Sequence, residues 1–138
     1  MKKIVLTCLL AAALPCHAFE LDGALYCNSS VREFFGPLVQ NRLIASHPFA
    51  VNDSVNVFKP GLLAHLTAFH MKVAAVFGYT DDPLLFVRGP GTAPPDQYGV
   101  VVRESIANVQ AALASVGATS AQIRLIGPSL TEIACAGK

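Results

Sequence analysis

The first helical pattern of apolar residues begins at Val31. Ser30 and Glu33 are spaced as a capping box, and the apolar side chains that follow share one helical face: Val31, Phe34, Phe35, Leu38 and Val39. Gly36-Pro37 is expected to kink or split this helix, because proline lacks the amide that the preceding turn requires. We expect residues 42–46 to form a second short helix that ends at His47-Pro48.

From residue 55 the pattern changes to β-branched, aromatic and small residues, which are typical of strands. We predict strands over residues 55–58, 64–69, 72–79, 84–87 and 98–103, with His70-Met71 as a tight turn. The run from Val73 to Phe77 has no polar alternation, which favours a strand covered on both faces; a buried helical segment is the alternative.

The C-terminal third predicts a helix followed by a hairpin. Ser105 can cap a helix that ends at Gly117 and whose apolar face carries Ile106, Val109, Leu113 and Val116. If Gly127-Pro128-Ser129 is a three-residue hairpin loop, the pairs across it are Ile126 with Leu130, Arg124 with Glu132 and Ile123 with Ile133. This register turns Cys135 toward the core. We therefore expect residues 19–138 to form one α+β domain, a single antiparallel sheet with helices packed on one face.

The first 18 residues have the pattern of a secretory signal peptide. Lys2 and Lys3 precede an apolar run over residues 4–14, Pro15 ends the run, and Cys16-His17-Ala18 offers a cleavage site. The apolar run is too short to span a membrane, so we expect a periplasmic or secreted protein with no integral membrane segment after cleavage. The alternative is a lipoprotein signal in which Cys16 is acylated and retained.

Charge argues against nucleic acid as a partner. The full chain has 10 Lys and Arg residues, 9 Asp and Glu residues and a net charge of +1, so losing Lys2 and Lys3 brings the net charge to −1. The remaining basic residues are scattered along the chain, whereas nucleic-acid binding needs a concentrated basic face.

Two cysteines remain after cleavage, Cys27 near the start of the domain and Cys135 near its end. Paired cysteines in an exported chain usually form a disulfide, and this one would join the two ends of the domain. A metal or redox pair would normally show closer spacing. We therefore predict one terminal disulfide.

The segment from residue 88 to residue 95, here called the proline loop, is the most distinct loop of the chain. We expect the following residues of this loop to contact a partner: Arg88, Pro90, Thr92, Pro94 and Pro95. Prolines reduce the conformational entropy that a loop loses on binding. The alternative is a connector that only stays clear of the sheet. The loop lacks the ending of a phosphate-binding P-loop, a lysine followed directly by a hydroxyl residue.

No catalytic set is recognisable in the sequence. Asp81-Asp82 is typical of a turn, and His65 and His70 would point in different directions on a strand or on a helix. We predict no metal site, no cofactor and no enzymatic activity. The alternative is a small hydrolase of cell-envelope material, with catalytic groups among Asp81, Asp82, Glu104 and the histidines.

Taken together, several general features resemble small exported proteins of Gram-negative proteobacteria that have no assigned activity. These features are the lysine-led leader, the apolar run at residues 72–79, the proline loop, residues 99–103 of the predicted strand and the cysteine near the C-terminus. The resemblance implies a periplasmic or secreted location and supplies no catalytic residues. We expect a non-enzymatic binding module for another exported or envelope protein, for example an inhibitor or immunity-type protein. The pattern leaves the oligomeric state open.

Overall fold

The computed structural model describes residues 17–138, and the predicted signal peptide therefore lies almost entirely outside the described residues. Within residues 17–138, eight strands form one sheet and two α-helices pack on it. The helices are α1 (Val31–Gln40) and α2 (Ile106–Ser115). The strands are β1 (Phe19–Glu20), β2 (Ala50–Asn52), β3 (Val55–Phe58), β4 (Leu66–Ala68), β5 (Met71–Tyr79), β6 (Gln97–Val102), β7 (Gln122–Gly127) and β8 (Leu130–Ala136).

The sheet is mixed, with the strand order β1-β4-β5-β6-β8-β7. The β2-β3 hairpin joins it through β3, which pairs with the C-terminal part of β5, while β4 pairs with the first residues of β5. Every pairing is antiparallel except that of β1 with β4. The α+β prediction is confirmed. The prediction of a fully antiparallel sheet is wrong at this edge, because the chain reaches β4 from β1 through a long crossover that contains α1.

The main core lies between the sheet and the two helices. Phe34 of α1 packs against Tyr98 of β6, with 4.7 Å between the ring centroids. Val109 and Leu113 of α2 belong to the same buried cluster. The Tyr98 hydroxyl is satisfied because it donates to the carbonyl of Ala24, at 2.8 Å. Both helices therefore cover the same face of the sheet.

A disulfide joins Cys27 and Cys135, as predicted. Cys27 follows a single 3₁₀ turn, Ala24–Tyr26, and Cys135 is a buried residue of β8. The bridge therefore fastens the first described segment of the domain to its last strand.

No helix among residues 17–138 has both the length and the apolar character needed to cross a membrane.

Helix α1 begins as predicted but is not split. The Ser30 hydroxyl accepts from the Glu33 amide at 3.2 Å, and the Glu33 carboxylate accepts from the Ser30 amide at 2.7 Å. Pro37 lies inside the helix, and its carbonyl still accepts from the Asn41 amide at 3.0 Å. Proline removes one amide donor from the helix without ending it here. The prediction of a helix at residues 42–46 is wrong, because Ile44 forms a β-bridge with Pro60.

The capping box predicts a dependence of stability on pH. The hydrogen bonds from the Ser30 amide and then from the Ser30 hydroxyl lower the pKa of Glu33. Because the pKa of Glu33 is lower in the folded state, its ionised carboxylate stabilises the fold. This stabilisation is complete above the ordinary pKa of glutamate and is lost as pH falls through the lowered value. In the Glu33→Gln variant, the free energy of unfolding should therefore fall less steeply as pH is lowered than it does in the wild type. Urea titrations at a series of pH values measure this difference. An unchanged pH profile would contradict this account.

Two other local predictions need correction. Residues 84–87 form a turn and loop instead of a strand. The turn between β4 and β5 is Phe69-His70, both with positive φ, and lies one residue earlier than predicted. Strand β2 was not predicted, because a segment of three residues is too short to show a clear strand pattern in the sequence. The first case has a clear cause: the backbone groups of Val87 bond to the side chain of Asn56 instead of to a neighbouring strand.

The β7-β8 hairpin has most of the predicted register. Arg124 pairs with Glu132 and Ile123 with Ile133, so opposite charges meet on one face and apolar residues on the other. The predicted pair of Ile126 with Leu130 is wrong. A register shift at Ile126 places Gly127 opposite Leu130 and leaves a two-residue turn, Pro128-Ser129. Such shifts are common near strand ends, where the extra residue increases the local twist.

Gly99 in β6 is a position at which a side chain cannot be accommodated without movement. A Cβ atom there would lie 2.5 Å from the Phe77 ring and would also collide with the Ile133 carbonyl. Gly99→Ala should therefore lower the free energy of unfolding by about 1–3 kcal/mol, the usual cost of overpacking. Gly23→Ala is a matched control, since a Cβ there meets nothing within 4 Å. Equal stabilities of the two variants in urea would contradict this packing.

Candidate functional site

The proline loop is anchored at its N-terminal end by a buried asparagine. The Asn56 side chain is fully buried, and its amide nitrogen donates to the carbonyls of Ser54 and Val87, each at 2.8 Å. Its carbonyl oxygen accepts from the Val87 amide at 2.9 Å. The Asn56 side chain thus makes the hydrogen bonds to Val87, the residue before the loop, that a neighbouring strand would otherwise make. Polar groups of this kind are retained in a core only when their hydrogen bonds are made.

Ser54 adds a second anchor. It lies in the two-residue turn of the β2-β3 hairpin, where Asp53 and Ser54 have φ values of 46° and 69°. Positive φ at both central positions is typical of a type I′ turn. The Ser54 hydroxyl is buried and accepts from the Gly89 amide at 2.9 Å. The hairpin therefore fixes the backbone of the loop at its second residue.

The C-terminal end of the loop is fixed by Asp96. Its carboxylate accepts from the Thr80 hydroxyl at 2.8 Å, and its carbonyl accepts from the Gly137 amide at 2.8 Å. These contacts connect the loop to the end of β5 and to the residue that follows β8. Both ends of the loop are thus held by the sheet, so the loop is restrained before it meets any partner.

Between these anchors the loop residues divide into two sets. Ala93 packs against the main core, and Pro94 is half-buried. Four of the predicted contact residues are exposed: Arg88, Pro90, Thr92 and Pro95. The structure therefore presents most of the predicted set to solvent on a fixed loop, and turns Pro94 toward the surface described next.

The face of the sheet opposite the helices contains an open groove of about 490 Å³, here called the trough. Buried apolar residues of the central strands form part of its lining, with Phe77 of β5 and Val101 of β6 among them. Phe49 and Ile126 line it from the two outer hairpins and are about half exposed. Pro94 lines it from the proline loop. The loop and the trough are thus continuous, and we treat them as one candidate site.

Charge within the trough is almost balanced. Arg124 forms an ion pair with Glu132, with 3.1 Å between Nη2 and Oε2. The Arg124 side chain is 71% exposed and that of Glu132 is 18% exposed, so solvent screens the pair. Lys59 lies over the Phe49 ring, with its Nζ 5.3 Å from the centroid. The trough therefore offers an apolar floor with polar groups at its rim, the arrangement found in many binding surfaces.

The residues of the alternative hydrolase prediction are not brought together as a set. Asp82 forms an ion pair with Arg32 at 3.1 Å and accepts from the Leu84 amide, which is the turn role expected for it. Glu104 follows the opposite end of β6 and accepts from the Asn108 side chain. The two carboxylates lie at opposite ends of the β5-β6 pair, about 20 Å apart along the sheet.

The histidines named in this prediction, His47, His65 and His70, have no described hydrogen bond or ion pair to Asp81, Asp82 or Glu104. Among the described residues, the side chain of His47 forms a hydrogen bond with that of its neighbour Ser46, with 3.0 Å between Nδ1 and Oγ. His65 and His70 flank β4 and are exposed. Within residues 17–138, no three His, Cys, Asp or Glu side chains are grouped so that they could hold a metal ion.

Sequence reasoning did not find Asn56, Ser54 or the trough. Asn56 had a visible signal, because a polar residue occupies an inward position in the alternating strand Val55–Phe58. The trough had none, since it is built from strands that are distant in sequence. Comparison of the chain with protein-family models, with curated proteins and with solved structures found no match.

Proposed function

We propose that this protein is an exported, non-enzymatic binding module, and that the proline loop and the trough bind another exported or envelope protein. The observation that carries the proposal is the anchoring of an exposed loop by hydrogen bonds at both ends, with the buried residues Asn56 and Ser54 holding its N-terminal end. A loop restrained in this way loses little entropy on binding. Inhibitors and immunity-type proteins use such loops to occupy a cleft of their target, and we place this protein in that functional class.

Charge indicates the kind of cleft. Arg88 is the only charged residue of the proline loop. It is exposed and has no ion-pair partner among the described residues. A cationic side chain on a rigid loop complements an acidic cleft, where it would form charge-assisted hydrogen bonds to carboxylates. We therefore expect the partner surface to carry Asp or Glu side chains.

Export is part of the same proposal. The predicted signal peptide and the disulfide both support a periplasmic or secreted location. Cleavage after Ala18 would leave β1 complete, because its first residue, Phe19, already donates its backbone nitrogen to the His65 carbonyl at 2.8 Å. The hydrolase alternative stays a prediction without a supporting geometry, since Asp82 and Glu104 are far apart.

The proposal predicts a specific effect of the loop prolines. A variant with Pro90→Ala, Pro94→Ala and Pro95→Ala should bind its partner at least about tenfold more weakly, because the loop regains conformational freedom that binding must remove. The measurement is retention of envelope proteins on the immobilised domain, residues 19–138. Pro83→Ala is the matched control, since Pro83 is exposed and lies outside the loop. Unchanged retention by the triple variant would contradict a role for the loop.

A further inference from the structure

A second concavity lies apart from the trough, on the side of the molecule that carries α1. It has a volume of about 450 Å³ and lies between the C-terminal half of α1, residues 42–46 and the turn at residues 84–85. We call it the Arg42 pocket. Its volume is within the range of about 300–1,000 Å³ that is usual for small-molecule sites.

The lining of the Arg42 pocket is mostly apolar. Phe35, Ile44 and Phe58 are buried core residues that form its inner part. Leu84 also lines it and is 93% exposed, so an apolar side chain stands in solvent at its rim. A single apolar chain could bury this rim residue and cover the exposed edge of the core. The surface thus suits an alkyl group better than a polar ligand.

Only one of the lining residues is charged, and it is Arg42. Arg42 is exposed and forms no ion pair with the described residues. The remaining polar residue of the lining is Ser46. No acidic residue lines the pocket, so its charge complements an anionic head group. A guanidinium presents paired donors that match the two oxygens of a carboxylate.

The backbone of Arg42 supports a role for its side chain. The Arg42 amide donates to the Val39 carbonyl and the Leu43 amide to the Leu38 carbonyl, which is the Schellman pattern at the end of α1. Arg42 occupies the left-handed position of this motif, with φ of 54°. Glycine is strongly preferred at that position, because a side chain there is strained. A non-glycine residue with a strained backbone beside a pocket is a reason to look for function there.

We propose that the Arg42 pocket binds a monocarboxylate with one unbranched alkyl chain, the chemistry of a medium-chain fatty acid. The carboxylate pairs with Arg42, and the chain lies against Phe35 and Phe58 and covers Leu84. This site is separate from the proline loop and the trough, so the inference does not depend on the proposed function.

The test is calorimetric titration of the domain with sodium decanoate below its micelle-forming concentration, with methyl NMR spectra to locate the site. Decanoate should bind and shift the methyl signals of Ile44, Leu84 and Leu85. Decanol and decyltrimethylammonium have the same chain without the anionic head, and they should bind at least about tenfold more weakly. Single-chain phospholipids test the other source of an anionic head group, and tighter binding of these than of decanoate would overturn the fatty-acid assignment.

Variants at Arg42 separate binding from folding. Arg42→Gly should raise the melting temperature, because it relieves the left-handed strain, and should weaken decanoate binding about tenfold. Arg42→Lys should bind decanoate more weakly than the wild type but more tightly than Arg42→Gly, because it keeps the charge and loses the paired donors. Arg103→Gln is the matched control, since Arg103 is exposed and does not line the pocket. Equal affinities of the wild type and Arg42→Gly, or methyl shifts confined to other surfaces, would overturn the proposal.

Discussion

Replacing Cys27 and Cys135 together by alanine should lower the free energy of unfolding by about 4–5 kcal/mol. The two cysteines are 108 residues apart in the sequence, and closing a loop of that length removes much of the conformational entropy of the unfolded chain. A domain of this size has a stability of about 5–15 kcal/mol, so the bridge accounts for a large share of it. Alanine keeps the buried position of Cys135 apolar and limits the change to the cross-link.

The measurement is urea denaturation of the oxidised domain, the reduced domain and the double alanine variant. The last two should unfold at nearly the same urea concentration, well below that of the oxidised domain. In the two proteins without the bridge, local unfolding should begin with residues 19–30, which the bridge joins to β8. A loss below about 1 kcal/mol would contradict the structural role that we assign to the disulfide.

Asn56→Asp should lower the free energy of unfolding by about 3 kcal/mol and release the proline loop. Aspartate has the same size and can still accept from the Val87 amide, but its carboxylate cannot donate to the carbonyls of Ser54 and Val87. The carbonyls of Ser54 and Val87 would then lose their donor and face a negative oxygen beside the buried Asn56 position. The cost comes from hydrogen bonding and charge, because the packing volume is retained.

Hydrogen exchange detects the second part of this prediction. The amides of Val87 and Gly89 should exchange much faster in Asn56→Asp than in the wild type, while amides in β6 and β8 keep their relative protection. Asn52→Ala is the matched control, because Asn52 is exposed and the change should cost less than about 0.5 kcal/mol. Unchanged protection of Val87 in Asn56→Asp would show that the loop does not depend on this anchor.

The sequence was most informative where a structure depends on nearby residues. The caps at Ser30 and Ser105 are seen as predicted, since capping depends on a side chain and the amide three residues later. The pairs Arg124 with Glu132 and Ile123 with Ile133 were predicted because a hairpin register follows from a short loop. The disulfide was predicted from the cysteine count and from the predicted export of the chain.

The failures arise where distant groups decide the local structure. Residues 84–87 have strand-like composition, yet Asn56, about thirty residues earlier, takes the hydrogen bonds that a neighbouring strand would have made. Residues 42–46 lose a helical conformation because Ile44 bridges to Pro60. The same reason applies to the candidate site. The loop was visible as a cluster of prolines, whereas its anchors and the trough depend on strand neighbours that the sequence does not reveal.

The most direct test of the proposed function is site-specific photocrosslinking in living cells of the protein expressed with its predicted signal peptide. A benzoylphenylalanine at Thr92, the exposed tip of the proline loop, should give one main adduct, with the crosslink mapped by mass spectrometry to a cleft that contains Asp or Glu residues. The same probe at Gln110, on the exposed side of α2, should not give that adduct. Crosslinking from Gln110 but not from Thr92, or no specific adduct from Thr92, would contradict the proposal that the loop binds a partner.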